Sequence, residues 1–157
     1  MTERLKIALA SDHAGFALKE HVREYLLGRG YEVEDLGPDS PDSVDYPDFA
    51  EKVATRMAAG QARFGVLVCG TGLGMAMSAG KLPGIRAATC NDTISARLAR
   101  AHNDANVLTM GSRLIDPATA QKVLNTWLST PFAGGRHQRR VEKITALDQK
   151  YHSEKTP

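Results

Sequence analysis

The stretch Phe64-Gly65-Val66-Leu67-Val68-Cys69-Gly70-Thr71-Gly72-Leu73-Gly74-Met75 decides the fold. Val66 to Val68 read as a buried strand, which runs directly into a turn containing three glycines. Parallel α/β sheets keep their chemistry at the carboxyl ends of strands, so a strand ending in a lone thiol and a glycine loop predicts such a sheet. Glycine lets a backbone adopt positive φ and come close to a ligand. The loop is expected to open a short helix from about Leu73 to Gly80, whose first N–H groups form a cradle for an anion.

Strands and helices alternate on both sides of this stretch. Leu5 to Ala10 predicts a first strand, and Ser11-Asp12-His13-Ala14-Gly15 is the loop at its carboxyl end. Leu18, Val22, Tyr25 and Leu26 then form one helical stripe, closed by Gly28 and Gly30. Tyr31 to Leu36 is a short strand, followed by a proline-rich loop. Pro47 suits the first turn of a helix whose Phe49, Val53 and Met57 recur every four residues. Beyond the glycine loop come a strand over Ile85 to Thr89 and a helix capped by Asn91 or Asp92. That helix carries Ile94, Leu98 and Ala101 on one face and stops at His102-Asn103. A fifth strand covers Val107 to Met110. Asp116-Pro117 then opens a helix with the stripe Ala120, Val123, Leu124, Trp127 and Leu128.

Five such alternations predict a Rossmann-like three-layer α/β/α sandwich with a five-stranded parallel sheet, joined by right-handed crossovers. A last helix, Arg136 to about Tyr151, follows Gly134-Gly135 after the sheet is complete. Its narrow stripe of Val141, Ile144, Leu147 and Tyr151 is expected to pack on a second copy of the chain.

The 157 residues suit one domain, 1–157, with 42% apolar and 24% charged residues and no repeat. Twenty basic against eighteen acidic residues leave a formal charge of +2, too balanced for a nucleic-acid or acidic-membrane partner. The apolar run near the N-terminus is too short for a signal segment or membrane span, so a cytoplasmic protein is expected. Cys69 and Cys90 form neither metal nor redox spacing, and Cys90 reads as a small buried hydrophobe.

In a parallel sheet, polar residues just after each strand converge on one edge. Here they are Asp12 and His13, Cys69 and Thr71, Asn91 and Asp92, and Arg113. His102 and Asn103 lie at the far end of a helix, and a compact loop is expected to bring them round. Gly70-x-Gly72-x-Gly74 departs from the dinucleotide fingerprint, because Met75 stands one place beyond the early third glycine. Asp92, about twenty residues on, leaves nucleotide binding open on spacing alone. Cys69 is either an inert core thiol or a base, with the glycine amides on its C-terminal side favouring the thiolate. Neither His13 nor His102 has metal-ligand spacing, so no metal is expected. Arg136 and Arg140 share a helical face and form either a phosphate clamp or a solvated basic turn.

Five motifs occur together and in order: Ser11-Asp12-His13-Ala14-Gly15, Asp45-Tyr46-Pro47, Cys69-Gly70-Thr71-Gly72-Leu73-Gly74, Ala101-His102-Asn103-Asp104-Ala105-Asn106, and Gly134-Gly135-Arg136-His137-Gln138-Arg139-Arg140-Val141. In this combination the chain resembles the B-type ribose-5-phosphate isomerases and their galactose-6-phosphate isomerase relatives. The resemblance implies an aldose–ketose isomerase that works without metal or nucleotide cofactor on ribose 5-phosphate and ribulose 5-phosphate. It implies Cys69 as the base moving a proton through an enediolate, and Thr71 and His102 as the ring-opening groups. Members lacking the cysteine use a carboxylate inside the loop, where this chain has Leu73 and Met75. Asp12 and Asn103 are implied to hold sugar hydroxyls, Tyr46 to line the pocket, and Gly70, Gly72, Leu73 and Gly74 to surround the enediolate. His13, Arg113, Arg136 and Arg140 are implied to take the phosphate, the last two from the partner of a homodimer or dimer of dimers with shared sites. A six-carbon sugar phosphate (allose 6-phosphate or galactose 6-phosphate) as substrate, or a non-catalytic nucleotide or phosphate sensor on the same fold, stand as alternatives.

Overall fold

The computed structural model describes residues 4–152. The elements are β1 (Lys6–Ser11), α1 (Phe16–Gly28), β2 (Glu32–Asp35), α2 (Tyr46–Ala58), β3 (Phe64–Cys69), α3 (Leu73–Ala79), β4 (Ala87–Thr89), α4 (Thr93–Asn103), β5 (Val107–Gly111), α5 (Pro117–Ser129) and α6 (Arg136–His152). The five strands form one sheet in the order β2-β1-β3-β5-β4, and every neighbouring pair is parallel.

Alternate residues of each central strand feed opposite layers, as the period of two requires. Ile7, Leu9, Val66, Val68, Leu108 and Met110 face one way and pack with α1, α4 and α5 around the fully buried Trp127. Ala8, Ala10, Leu67, Cys69 and Val107 face the other way and pack with α2 and α3. All six β3 residues are therefore buried, the continuous apolar pattern of a sheet covered on both faces. Removing a leucine such as Leu26 or Leu67 from water contributes about 1.5–3 kcal/mol each.

Two sequence expectations are corrected. β4 has three residues, Ala87–Thr89, and lies at the sheet edge, where Ile85 is buried just before it. α4 does not bury the stripe Ile94, Leu98 and Ala101. It turns Ala96, Ala99 and Arg100 inward, and Ile94 is 66% exposed. The inward face works because the Arg100 guanidinium lies over the rings of Phe64 (4.8 Å) and Trp127 (5.7 Å), with its Nη1 paired to Asp104.

α6 contributes only Val141 to the interior, while Ile144, Leu147 and Tyr151 remain 40%, 56% and 65% exposed. Gly134 and Gly135 both have positive φ and turn the chain into this helix. No helix among the described residues is long and apolar enough to cross a membrane.

Candidate active site

β1 and β3 are neighbours, but β1 leads outward to β2 while β3 leads inward to β5, so the strand order reverses between them. A crevice opens at the carboxyl ends of two such strands. Cys69, the last residue of β3, stands at this point with 4% of its surface exposed. Gly72 takes φ 87° and ψ −16° as the residue capping α3, a left-handed conformation that swings its N–H back onto the preceding strand end. That N–H donates to Cys69 Sγ at 3.1 Å.

The expected cradle of free amides is thereby partly filled from within. Gly72 serves the thiol, and the Leu73 N–H donates to Thr71 Oγ1 at 3.2 Å. Neighbouring strands fix the loop. Thr109 Oγ1 donates to the Gly72 carbonyl at 2.8 Å, and Asn91 Nδ2 donates to the Thr71 carbonyl at 3.2 Å. Asn91 Oδ1 also accepts from the Gly111 N–H at 2.8 Å, so one amide side chain braces the exits of β3, β4 and β5. Asn91 was visible in the sequence as a strand-end polar residue, but this bracing depends on β5 lying between β3 and β4. Thr109 gave no signal, since it sits inside an apolar strand.

Several expected residues join Cys69. Arg113 lies against Gly70, where an added Cβ would stand 3.2 Å from its Nη1. The Tyr46 ring covers Gly74 so closely that a Cβ there would be 2.7 Å from the ring, which explains glycine at that place. Met75 is fully buried in the α2–α3 layer, so its side chain does not enter the crevice.

From β1, Asp12 is 7% exposed and accepts the Gly15 N–H at 2.9 Å, while its own N–H donates to the Val68 carbonyl at 3.1 Å. His13 Nδ1 lies 3.2 Å from the Val44 nitrogen and 3.1 Å from the Val44 oxygen. It therefore has a backbone partner whether that nitrogen accepts or donates. Asp12, His13 and Tyr46 line a cleft of about 500 Å³ with Ser43 and Asp45.

His102 and Asn103 are not brought round, contrary to expectation. α4 starts at the crevice edge and runs back along the sheet for 11 residues, or about 16 Å. Asn103 is followed almost at once by β5, which begins at the opposite edge. There the His102 ring stacks on that of His137, with centroids 4.2 Å apart and planes 11° from parallel. The Ala133 N–H donates to the Ala101 carbonyl at 2.9 Å, fastening the segment before α6 to the end of α4. Partial burial, with the nearby His102, Arg136 and Arg140, holds His137 below the usual imidazole range. One chain thus carries two separated groups: Asp12, His13, Tyr46, Cys69, Thr71 and Arg113 at one end, and His102, Asn103, Arg136 and Arg140 at the other.

The two cysteines are both free. Burial pushes the Cys90 thiol up to about 11, outweighing the hydrogen bond from Ser95, so Cys90 is a neutral packing residue. Among the described residues no group of three or more His, Cys, Asp or Glu side chains is placed to hold a metal ion.

Residues 7–144 match the Ribose/Galactose Isomerase family. Ribose-5-phosphate isomerase B of Escherichia coli is 46% identical over 145 residues, covering 92% of this chain and 97% of that protein. The solved ribose 5-phosphate isomerase of Thermotoga maritima is 55% identical with a TM-score of 0.89, covering 92% of this chain and 99% of its own. Ribose-5-Phosphate Isomerase B of Clostridium thermocellum is 47% identical with a TM-score of 0.92, covering 94% and 99%.

Proposed function

The chain belongs to the ribose/galactose isomerase family, and on that premise we propose that it interconverts ribose 5-phosphate and ribulose 5-phosphate, with Cys69 as the base. It is an aldose–ketose isomerase. The observation that carries the assignment of the base is the Gly72 N–H on Cys69 Sγ at 3.1 Å. That contact holds the sulfur at the mouth of the glycine loop, whose amides lie where an enediolate would form.

In the proposed reaction the Cys69 thiolate removes the C2 proton of the open-chain aldose and returns a proton to C1. Between these two proton transfers, charge develops on the oxygens of the enediolate, next to the amides of Gly70 to Gly74, and the C2 hydroxyl proton passes to O1, which leaves the ketone at C2. Thr71 and His102 move protons between the ring oxygen and the C1 hydroxyl during ring opening. Asp12 and Asn103 hold sugar hydroxyls, Tyr46 and Leu73 wall the pocket, and His13, Arg113, Arg136 and Arg140 take the phosphate.

These roles require two copies of the single domain. His102 and Asn103 share an end of the molecule with Arg136 and Arg140, so all four reach Cys69 from a partner rather than the two arginines alone. A two-fold dimer supplies each crevice with the other copy's group. The exposed Ile144, Leu147 and Tyr151 of α6, over residues 136–151, give that partner an apolar seat. Two free cysteines fit a cytoplasmic setting.

The test is direct. Purified protein is expected to convert ribose 5-phosphate to ribulose 5-phosphate, with Cys69→Ala losing on the order of 10²–10⁴-fold in kcat and keeping its circular dichroism spectrum. A fully active alanine variant would end the thiol-base assignment. Faster turnover of allose 6-phosphate or galactose 6-phosphate would move the substrate to a hexose.

A further inference from the structure

Asp104 is the one non-glycine residue with positive φ among the described residues, at 45°. It caps the C-terminus of α4, directly after His102 and Asn103. Aspartate tolerates the left-handed region better than most side chains but still needs local hydrogen bonds to hold it there. Here the surroundings supply them from two elements.

Arg100, one turn earlier on α4 and only 3% exposed, donates through Nη1 to Asp104 Oδ1 at 2.9 Å and to the Ala105 carbonyl at 2.6 Å. Arg86, just before β4, donates through Nε to the Asp104 carbonyl at 2.9 Å and through Nη2 to its Oδ2 at 3.4 Å. The backbone closes the turn, with the Asp104 N–H on the Arg100 carbonyl at 3.2 Å and the Ala105 N–H on the Ala99 carbonyl at 3.0 Å. Carboxylate and carbonyl of a single residue are thus gripped by two guanidinium groups, one of which is buried against Phe64 and Trp127. A helix could continue past Asn103 or fray before it. This clamp sets the residue at which α4 ends and the direction of its last turn.

The geometry points to Asp104, gripped by Arg86 and Arg100, as the positioning residue that aims His102 and Asn103 at the sugar. It touches no substrate, and acts by fixing the last turn from which those two side chains project. The inference rests on the proposed roles of His102 and Asn103. A displacement of about 1 Å at such groups costs up to 10²-fold in rate, so loss of the clamp is read as a loss of kcat/KM.

The experiment uses the full chain, four variants of the clamp and one, His102→Gln, for assignment. Asp104→Asn keeps an acceptor for Arg100 and tolerates positive φ. Asp104→Gly keeps the backbone conformation without any side chain, and Asp104→Ala keeps neither. Arg86→Gln loosens the clamp while leaving the buried Arg100 paired, so it stays informative where an Asp104 variant fails to fold. Wild-type turnover of ribose 5-phosphate is measured first, which separates failure of the isomerase assignment from failure of this one. The readouts are kcat/KM and the side-chain NMR signal of His102, assigned by its disappearance in His102→Gln; the signal reports the stack on His137 without reference to activity. The expected order is wild type, then Asn, then Gly and Ala, with Gly and Arg86→Gln losing roughly tenfold or more and shifting the His102 signal. A glycine or Arg86→Gln variant with wild-type kcat/KM and an unmoved His102 signal would overturn the proposal, because backbone conformation alone would then suffice. Loss of activity in the folded variants with the His102 signal unmoved would overturn it equally.

Discussion

The N–H of Gly72 donates to the Sγ of Cys69 across 3.1 Å, and it does so because Gly72 sits at φ 87°. A Cβ at this position would lie 3.1 Å from the backbone nitrogen and carbonyl carbon of Met110, besides meeting the left-handed penalty. Gly72→Ala is therefore expected to cost about 1–2 kcal/mol of stability from the dihedral alone. The thiol also loses its donor geometry, and kcat should fall roughly tenfold or more. Urea denaturation and steady-state kinetics check both parts. An alanine variant with full activity would mean that the amide does not serve the thiolate.

The two thiols should separate chemically. Cys90 is 1% exposed, its pKa is pushed up to about 11, and it has no thiolate to offer at neutral pH. Iodoacetamide is expected to modify native protein at Cys69 only, and ribose 5-phosphate to slow that reaction. Peptide mass spectrometry reads the site; alkylation of Cys90 at a similar rate would contradict the assignment.

The proposed shared active sites predict complementation. Cys69→Ala and His102→Ala proteins should each be nearly inactive. After they are unfolded and refolded together, half of the dimers are mixed, and each mixed dimer holds one site with both native groups. Activity should recover to about a quarter of wild type, the value set by random pairing in a two-fold dimer. No recovery, with exchange shown by tagged subunits, would mean that Cys69 and His102 act from the same chain and would overturn the shared site.

Acid stability follows from the helix caps. Asp92 accepts the Ser95 N–H at 2.7 Å and Asp116 accepts the Thr119 N–H at 2.8 Å. Hydrogen bonds from Ser95 and Thr119 hold these carboxyls below their ordinary range. A carboxyl lowered on folding adds stability above its unfolded value of about 3.9, and that contribution is lost as pH falls through the folded value. Melting temperature should therefore drop below about pH 4. The drop should be shallower in the Asp92→Asn, Asp116→Asn double variant. An identical acid profile in the two proteins would rule out the caps as its source.

Most of the fold was legible because its signals are local. The apolar run of β3, the Asp116-Pro117 start of α5 and the stripe through Trp127 depend on neighbours in the chain, and the elements stand where those patterns put them. The convergence of Asp12, His13, Cys69, Thr71 and Arg113 followed from strand polarity in a parallel sheet. What was not legible depends on distant partners. Ile94 looked like a core residue by its spacing with Leu98, but Arg100 takes the inward face because Phe64, Trp127 and Asp104 receive its stem and charge. Lys19 is fully buried within the Leu18–Val22–Leu26 face, and its ion pairs with Asp35 at 2.8 Å and Glu20 at 2.9 Å account for that. Placing His102 required knowing that α4 spans the sheet before β5 returns, which no motif states.

The length of α4 has a physiological corollary. Under the proposed roles, a protomer that keeps Cys69 and His102 on opposite edges of one sheet has no working centre of its own. Under the proposed assignment a newly made chain stays silent until it meets a sister, and specific activity becomes a function of protein concentration. Dilution below the dissociation constant of the dimer would extinguish turnover while every protomer remained folded. Catalysis in this molecule is then a reporter of assembly, scarce at low expression and full only once chains find each other.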